Sequence, residues 1–155
     1  MKEHKIFKPD MMFQECINSC WCHNVKTVAD EKLPINAFLT RKGIFALDII
    51  PDISQKVYTF GLPVNKNWQT QKFGKNSTLC FEIYSEEMIS INILFQDSEN
   101  VTSKATTISI KKDQTDRWTK FQVLVLNPED VRMILFSGSP SNTPNYVIKD
   151  IIIKT

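Results

Sequence analysis

The chain has 155 residues, 42% hydrophobic and 23% charged, the make-up of an ordinary globular domain. Its 19 basic residues against 17 acidic ones give +2, too even a balance to favour nucleic acid or an anionic membrane. No apolar stretch approaches the roughly 18 residues of a membrane span, so a single domain over residues 1–155 is expected.

The start, MKEHKIFKPD, has lysines with no apolar run behind them. No signal peptide is expected, which leaves a cytoplasmic protein or a module excised from an exported one. Residues 1–10 are expected to form a mobile or loosely packed arm. In CINSCWCHNVKTV, a weak strand candidate, Cys16, Cys20 and Cys22 share parity and would project to one face. Three thiols on one strand do not converge easily on an ion, even with His23 nearby, so reduced cysteines are expected rather than zinc.

From here the dominant signal is period two. GIFALDII and KVYTFGL read as strands. In TLCFEIYS, Leu79, Phe81 and Ile83 oppose Thr78, Glu82 and Tyr84. MISINILF alternates Ile89, Ile91, Ile93 and Phe95 with Ser90 and Asn92. TTISIKK, WTKFQVLVL, VRMILFS and YVIKDIIIK complete the series. Turn chemistry separates these runs: Pro51–Asp52, Gly74–Lys75–Asn76, Ser98–Glu99–Asn100, KKDQTDR, NPED and SGSPSNTPN. No segment sustains a 3.6 period. The expected fold is all-β, an antiparallel β-sandwich in jelly-roll form with about eight to nine strands.

Asp150 is out of place in the last run, because a carboxylate among β-branched residues needs a partner, a metal or water. The succession KGIFALDI, VYTFGL, STLCFEIY, ISINILFQD, RWTKFQVLV and YVIKDIII resembles the jelly-roll carbohydrate-binding modules of the galactose-binding-like superfamily. The resemblance implies a structural calcium between an early acid and an acid of the final strand, here Glu15 and Asp150. Lys149 departs from it, standing where the family often has a second acid. Otherwise Asp150 lies at a solvated edge or pairs with Lys149 or Lys154.

No catalytic constellation is visible: no GxSxG, P-loop, GxGxxG or HExxH, and only two histidines. Glu82 with Asp97 or Asp48 is the one carboxylate pairing that suggests glycoside hydrolysis. A non-enzymatic role is expected. Sugar binding calls for aromatic faces beside planar polar groups, and the candidate rings are Trp21, Tyr58, Trp68, Tyr84, Trp118 and Tyr146. Trp68 lies in the polar loop PVNKNWQTQKFGKN with Asn67 and Gln69, whose amides suit vicinal hydroxyls. Trp118 is expected in the core or at its rim. Tyr84, Glu82, Asn92 and Gln122 are expected to pave one polar sheet face. The expected ligand-binding residues are therefore Trp21, Trp68, Tyr84, Asn67, Gln69 and Glu82, and the expected partner is an oligo- or polysaccharide. The alternative is a β-sandwich that binds a protein partner, or serves a parent multidomain chain, without sugar.

Overall fold

The computed structural model describes residues 2–7, 21–25 and 46–155. Its strands are β1 (Glu3–Phe7), β2 (Trp21–His23), β3 (Leu47–Ile49), β4 (Tyr58–Pro63), β5 (Thr78–Tyr84), β6 (Ile89–Gln96), β7 (Thr106–Ile110), β8 (Trp118–Leu124), β9 (Met133–Gly138) and β10 (Tyr146–Lys154). They form two antiparallel sheets. The first runs β1-β10-β5-β8, with β3 also paired to β10, and the second runs β2-β4-β9-β6-β7. The all-β sandwich expected from period two is the fold observed. Residues 3–7, inside the stretch expected as a loose arm, pair with β10 as β1, and Phe7 is only 1% exposed. His4 is anchored as well: its Nε2–H donates to Val64 O at 2.5 Å, and its ring meets Phe73 edge-on.

Alternation sorts the side chains. On β5, Leu79, Phe81 and Ile83 are buried while Thr78, Cys80, Glu82 and Tyr84 are half-buried on the outer face. β6 does the same with Ile89, Ile91, Ile93 and Phe95 inside. The inner faces of both sheets merge in one apolar cluster, in which Phe81 stacks on Phe121 and meets Phe136 edge-on. Non-directional burial of this kind supplies most of the favourable folding energy.

Strand β10 breaks the alternation once. It faces β5 through Val147↔Tyr84, Ile148↔Ile83 and Lys149↔Glu82, and resumes at Ile152↔Cys80. Two residues, Asp150 and Ile151, therefore stand against the single Phe81, which is a β-bulge. Strict alternation from Ile148 would have turned Asp150 into the core. The bulge moves it to a half-buried position and turns Ile151 and Ile153 inward instead. Asp150 takes φ 53°, a left-handed conformation that Asp tolerates better than most residues. The odd carboxylate is the hinge of the last strand.

Tyr58 and Tyr146, two of the rings considered for sugar, are instead sealed inside at 0% and 1% exposure. Their hydroxyls meet at 3.1 Å and tie β4 of one sheet to β10 of the other. Burial pushes the Tyr58 hydroxyl up to about 12, against the opposing pull of its hydrogen bonds with Tyr146 and Thr143. Thr143 in turn donates to Ser90 O at 2.8 Å. Gly138 is required beside this tie, because an added Cβ would lie 2.7 Å from Thr143 Oγ1 and 3.1 Å from Tyr58 Cε1.

Two outcomes follow for urea unfolding. Tyr146→Phe is expected to lower stability by about 1 kcal/mol, the usual net worth of one buried hydrogen bond. Gly138→Ala is expected to cost about 1–3 kcal/mol by overpacking. Because the Tyr58 pKa is raised from 10.0 to about 12, its stabilising contribution is complete below pH 10 and is lost as pH climbs towards 12. Alkaline unfolding should therefore be less steep in Tyr58→Phe.

Candidate functional site

Both outer faces carry hydrogen-bonding side chains in rows that run across the strands. On the second sheet, His23↔Thr59, Thr59↔Ser137, Ser137↔Asn92 and Asn92↔Thr107 are successive register pairs, so five polar residues line up from β2 to β7. At ordinary strand spacing this row spans roughly 19 Å. Thr107 donates to Asn92 Oδ1 at 2.7 Å, which leaves the Asn92 amide nitrogen as a donor. Ser137 donates to Tyr58 O at 3.0 Å, which leaves its oxygen as an acceptor. The neighbouring row is Trp21, Gly61, Leu135 and Leu94. Met133 and Leu135 lean over Gly61, their side chains 2.7 and 3.1 Å from where a Cβ would stand.

A guanidinium closes the far end of this face. Arg132 donates from Nη2 to Gln96 Oε1 at 2.9 Å and to Asn100 Oδ1, while its buried Nε has no partner. Amide oxygens hold it in place of a carboxylate, and among the described residues it enters no ion pair, so its charge stays uncompensated. The loop carrying Trp68 leaves the sheet at the same end. Val64 N donates to Arg132 O at 2.9 Å, and Gln71 and Val131 form a bridge. Asn65 closes that loop on itself, donating from Nδ2 to Gln71 Oε1 at 3.1 Å. Within it Asn67 and Trp68 both take positive φ, 61° and 60°; Trp68 is half-buried, and Asn67 and Gln69 are exposed.

The first sheet carries a second cluster. Tyr84 and Trp118 are register partners with ring centroids 5.7 Å apart, both half-buried. Lys149, Glu82 and Lys120 follow as the next row across β10, β5 and β8. The Lys149 ammonium sits 4.3 Å over the Trp118 ring. Partial burial holds the Glu82 carboxyl above its usual 4.5; a hydrogen bond with the Asp150 carboxyl and the charge on Asp150 act in the same direction, while Lys149 and Lys120 oppose them. The bulge brings Asp150 to Glu82.

The expected site residues thus divide. Trp21 and the loop of Trp68, Asn67 and Gln69 belong to the second sheet and one of its ends, while Tyr84 and Glu82 belong to the first. Of the Trp21 and Cys22 side chains nothing is described; Cys16, Cys20 and Glu15 lie outside the described residues. The single polar face expected from Tyr84, Glu82, Asn92 and Gln122 does not exist, because Asn92 is on β6 of the opposite sheet. Trp118 is at the rim, not in the core. The carboxylates of the suggested hydrolytic pairings are not neighbours in a sheet. Asp48 is on β3, separated from β5 by β10, and Asp97 Oδ1 is engaged by the Glu99 and Val101 amides at 2.9 Å. Glu82 and Asp150 share a hydrogen bond, far closer than the roughly 5 Å or more between glycosidase carboxyls. Among the described residues no three His, Cys, Asp or Glu side chains converge as a metal would require. Arg132 and Gln96 were missed because each reads locally as an ordinary polar residue beside a strand.

A raised carboxyl pKa means that folding favours the protonated form of Glu82. Its contribution is stabilising below pH 4.5 and is lost as pH rises through the raised value. Glu82→Gln is therefore expected to melt at a higher temperature than wild type at pH 7, with the difference closing below pH 4.5.

Comparison with known proteins adds the fold's relatives. No family model matches the chain, and no curated protein does. Among solved structures, a point variant of a family 29 carbohydrate-binding module, made to probe ligand recognition, is similar at 18% identity and TM-score 0.66, over 100% of this chain and 93% of that one. Two further variants of that module, one complexed with cellulohexaose (17% identity, TM-score 0.63) and one with mannohexaose (19%, 0.63), each match over 97% of this chain and 89% of theirs. The chain has the jelly-roll sandwich fold of a carbohydrate-binding module.

Proposed function

We propose that this domain is a non-catalytic carbohydrate-binding module that takes an oligosaccharide along the outer face of its second sheet. The observation that carries the reading is the five-strand polar row on a face whose β6 and β9 also carry Gln96 and, beside it, a guanidinium with no ion pair among the described residues. A glycan offers a ribbon of hydroxyls, each donor and acceptor, and the row alternates such groups along roughly 19 Å. Arg132 and Gln96 supply planar donors and acceptors further along β9 and β6, where the Trp68 loop departs. Trp21 occupies the register position at the other edge. Relatives of the same fold bound to cellulohexaose and mannohexaose support a β-linked hexose chain as the first ligand to try. The geometry of the carboxyl groups argues for binding without hydrolysis. The rival reading, a protein-docking sandwich, gains little from the exposed apolar residues. Among the described residues these are Ile53, Val57, Met88 and Val101 in three different connections and Leu124 at the end of β8.

The resemblance to the galactose-binding-like superfamily rests on the succession of strand motifs, and the calcium it would bring rests on Glu15 together with Asp150. Calcium favours six to eight oxygen ligands, and of these the described residues show the Asp150 carboxyl beside that of Glu82. The sugar reading does not depend on the ion.

Titration calorimetry with mannohexaose and cellulohexaose tests the main reading. Wild type is expected to bind at least one of them, and Arg132→Ala or Asn92→Ala is expected to weaken that binding roughly tenfold, about 1.4 kcal/mol. Lack of binding by wild type, or full affinity in both variants, would refute it. A melting curve with and without chelator is expected to show one midpoint. A calcium-dependent rise that disappears in Asp150→Asn would restore the metal.

A further inference from the structure

The sandwich has a second face built on the same plan. On the second sheet an apolar row adjoins a hydrogen-bonding row; on the first, the ring pair Tyr84–Trp118 adjoins Lys149, Glu82 and Lys120. Antiparallel outer faces are usually paved with scattered charges. Here two half-exposed rings lie side by side, 5.7 Å between centroids and tilted at 55°, and at their border a carboxyl pair stands among two ammonium groups. We propose that this face is a second carbohydrate platform, independent of the polar row on the opposite sheet, and that it takes one pyranose ring of a neutral glycan. The inference rests on the carbohydrate reading above and extends it to a module with two opposed binding faces.

The chemistry selects such a ligand. The rings present apolar area that packs against the C–H face of a sugar. The carboxyl pair of Glu82 and Asp150 accepts from vicinal hydroxyls, and the Lys120 and Lys149 ammoniums donate to the same or adjacent oxygens. The carboxyl pair offsets much of the charge of the two ammoniums, so the face lacks the strong single-sign field that a charged ligand would call for. Lys149 lies over the Trp118 ring at 4.3 Å, occupying the place a sugar face would take. On binding, its ammonium passes from the ring to a ligand hydroxyl, so an existing cation contact is exchanged for a hydrogen bond. The β10 bulge is what makes the pair: without the extra residue Asp150 would face the core and Glu82 would have lysine neighbours alone.

The experiment is a calorimetric and NMR titration of the whole chain with mannohexaose and cellulohexaose, comparing wild type, Trp118→Ala, Tyr84→Ala, Glu82→Gln and Arg132→Ala. Melting curves select the variants that remain folded, and Glu82→Gln is expected to fold in any case. The expected result is two sites per chain in wild type. Arg132→Ala weakens one of them roughly tenfold and keeps shifts at Tyr84 and Glu82. Trp118→Ala or Tyr84→Ala removes the other, and Glu82→Gln weakens it roughly tenfold. A single site that is weakened in Arg132→Ala and unchanged in Tyr84→Ala, Trp118→Ala and Glu82→Gln overturns the second platform and leaves the first. A single site lost only in the ring variants does the reverse. No binding by wild type overturns both.

Discussion

The first sheet depends on the register of β10. This strand shares one edge between β1 and β3 and offers the other to β5, so three of the four partners that complete the sheet meet on it. It must send Tyr146, Ile148, Ile151 and Ile153 into the core while passing one carboxylate along the way. A period of two cannot do both, and the left-handed residue at Asp150 resolves the conflict by adding a residue to one side of the ladder. Everything on that face follows: the meeting of Asp150 with Glu82, the row of alternating charge, and the lysine lying across the indole.

The sandwich was readable because alternation is a local property. Leu79, Phe81 and Ile83, or Ile89 through Phe95, announce their inner face within a few residues, and the turns between them carry residues suited to tight bends. The site was readable only in part. Composition singled out Trp21, Trp68, Tyr84 and Glu82 as chemistry in search of a place, but which of them share a face depends on pairings between strands distant in sequence. Asn92 shows the limit: its parity is plain, yet nothing local says that β6 belongs to the sheet opposite Tyr84. Arg132 shows another. Its interest lies in what it lacks, a carboxylate, and such an absence emerges only once the neighbours are assembled. Asp150 was recognised as anomalous from the run of branched residues around it. The cause, a bulge, requires knowing that Ile151 lies inward.

The two sheets also divide the molecule by purpose. Among the described residues a buried polar link joins them, the hydroxyl pair of Tyr58 and Tyr146, set among packed aliphatic and aromatic groups. Buried polar links contribute little net free energy but penalise misalignment, because either hydroxyl left alone would be desolvated without compensation. That link fixes how one sheet sits over the other. The outer faces are then free to carry chemistry without disturbing the core, since each strand hands alternate side chains to opposite tasks.

Strand β1 runs beside β10, and the amide of Thr155 donates to the carbonyl of Lys2 at 3.0 Å. Entry and exit of the described chain therefore lie at one point on one edge. A domain with that arrangement hangs from a larger polypeptide as a side loop hangs from a rope, adding almost nothing to the separation of the segments on either side. Splicing it into an exposed turn of an unrelated scaffold would ask for little more than two short connectors, and joining its own ends would need only a few residues to close the ring.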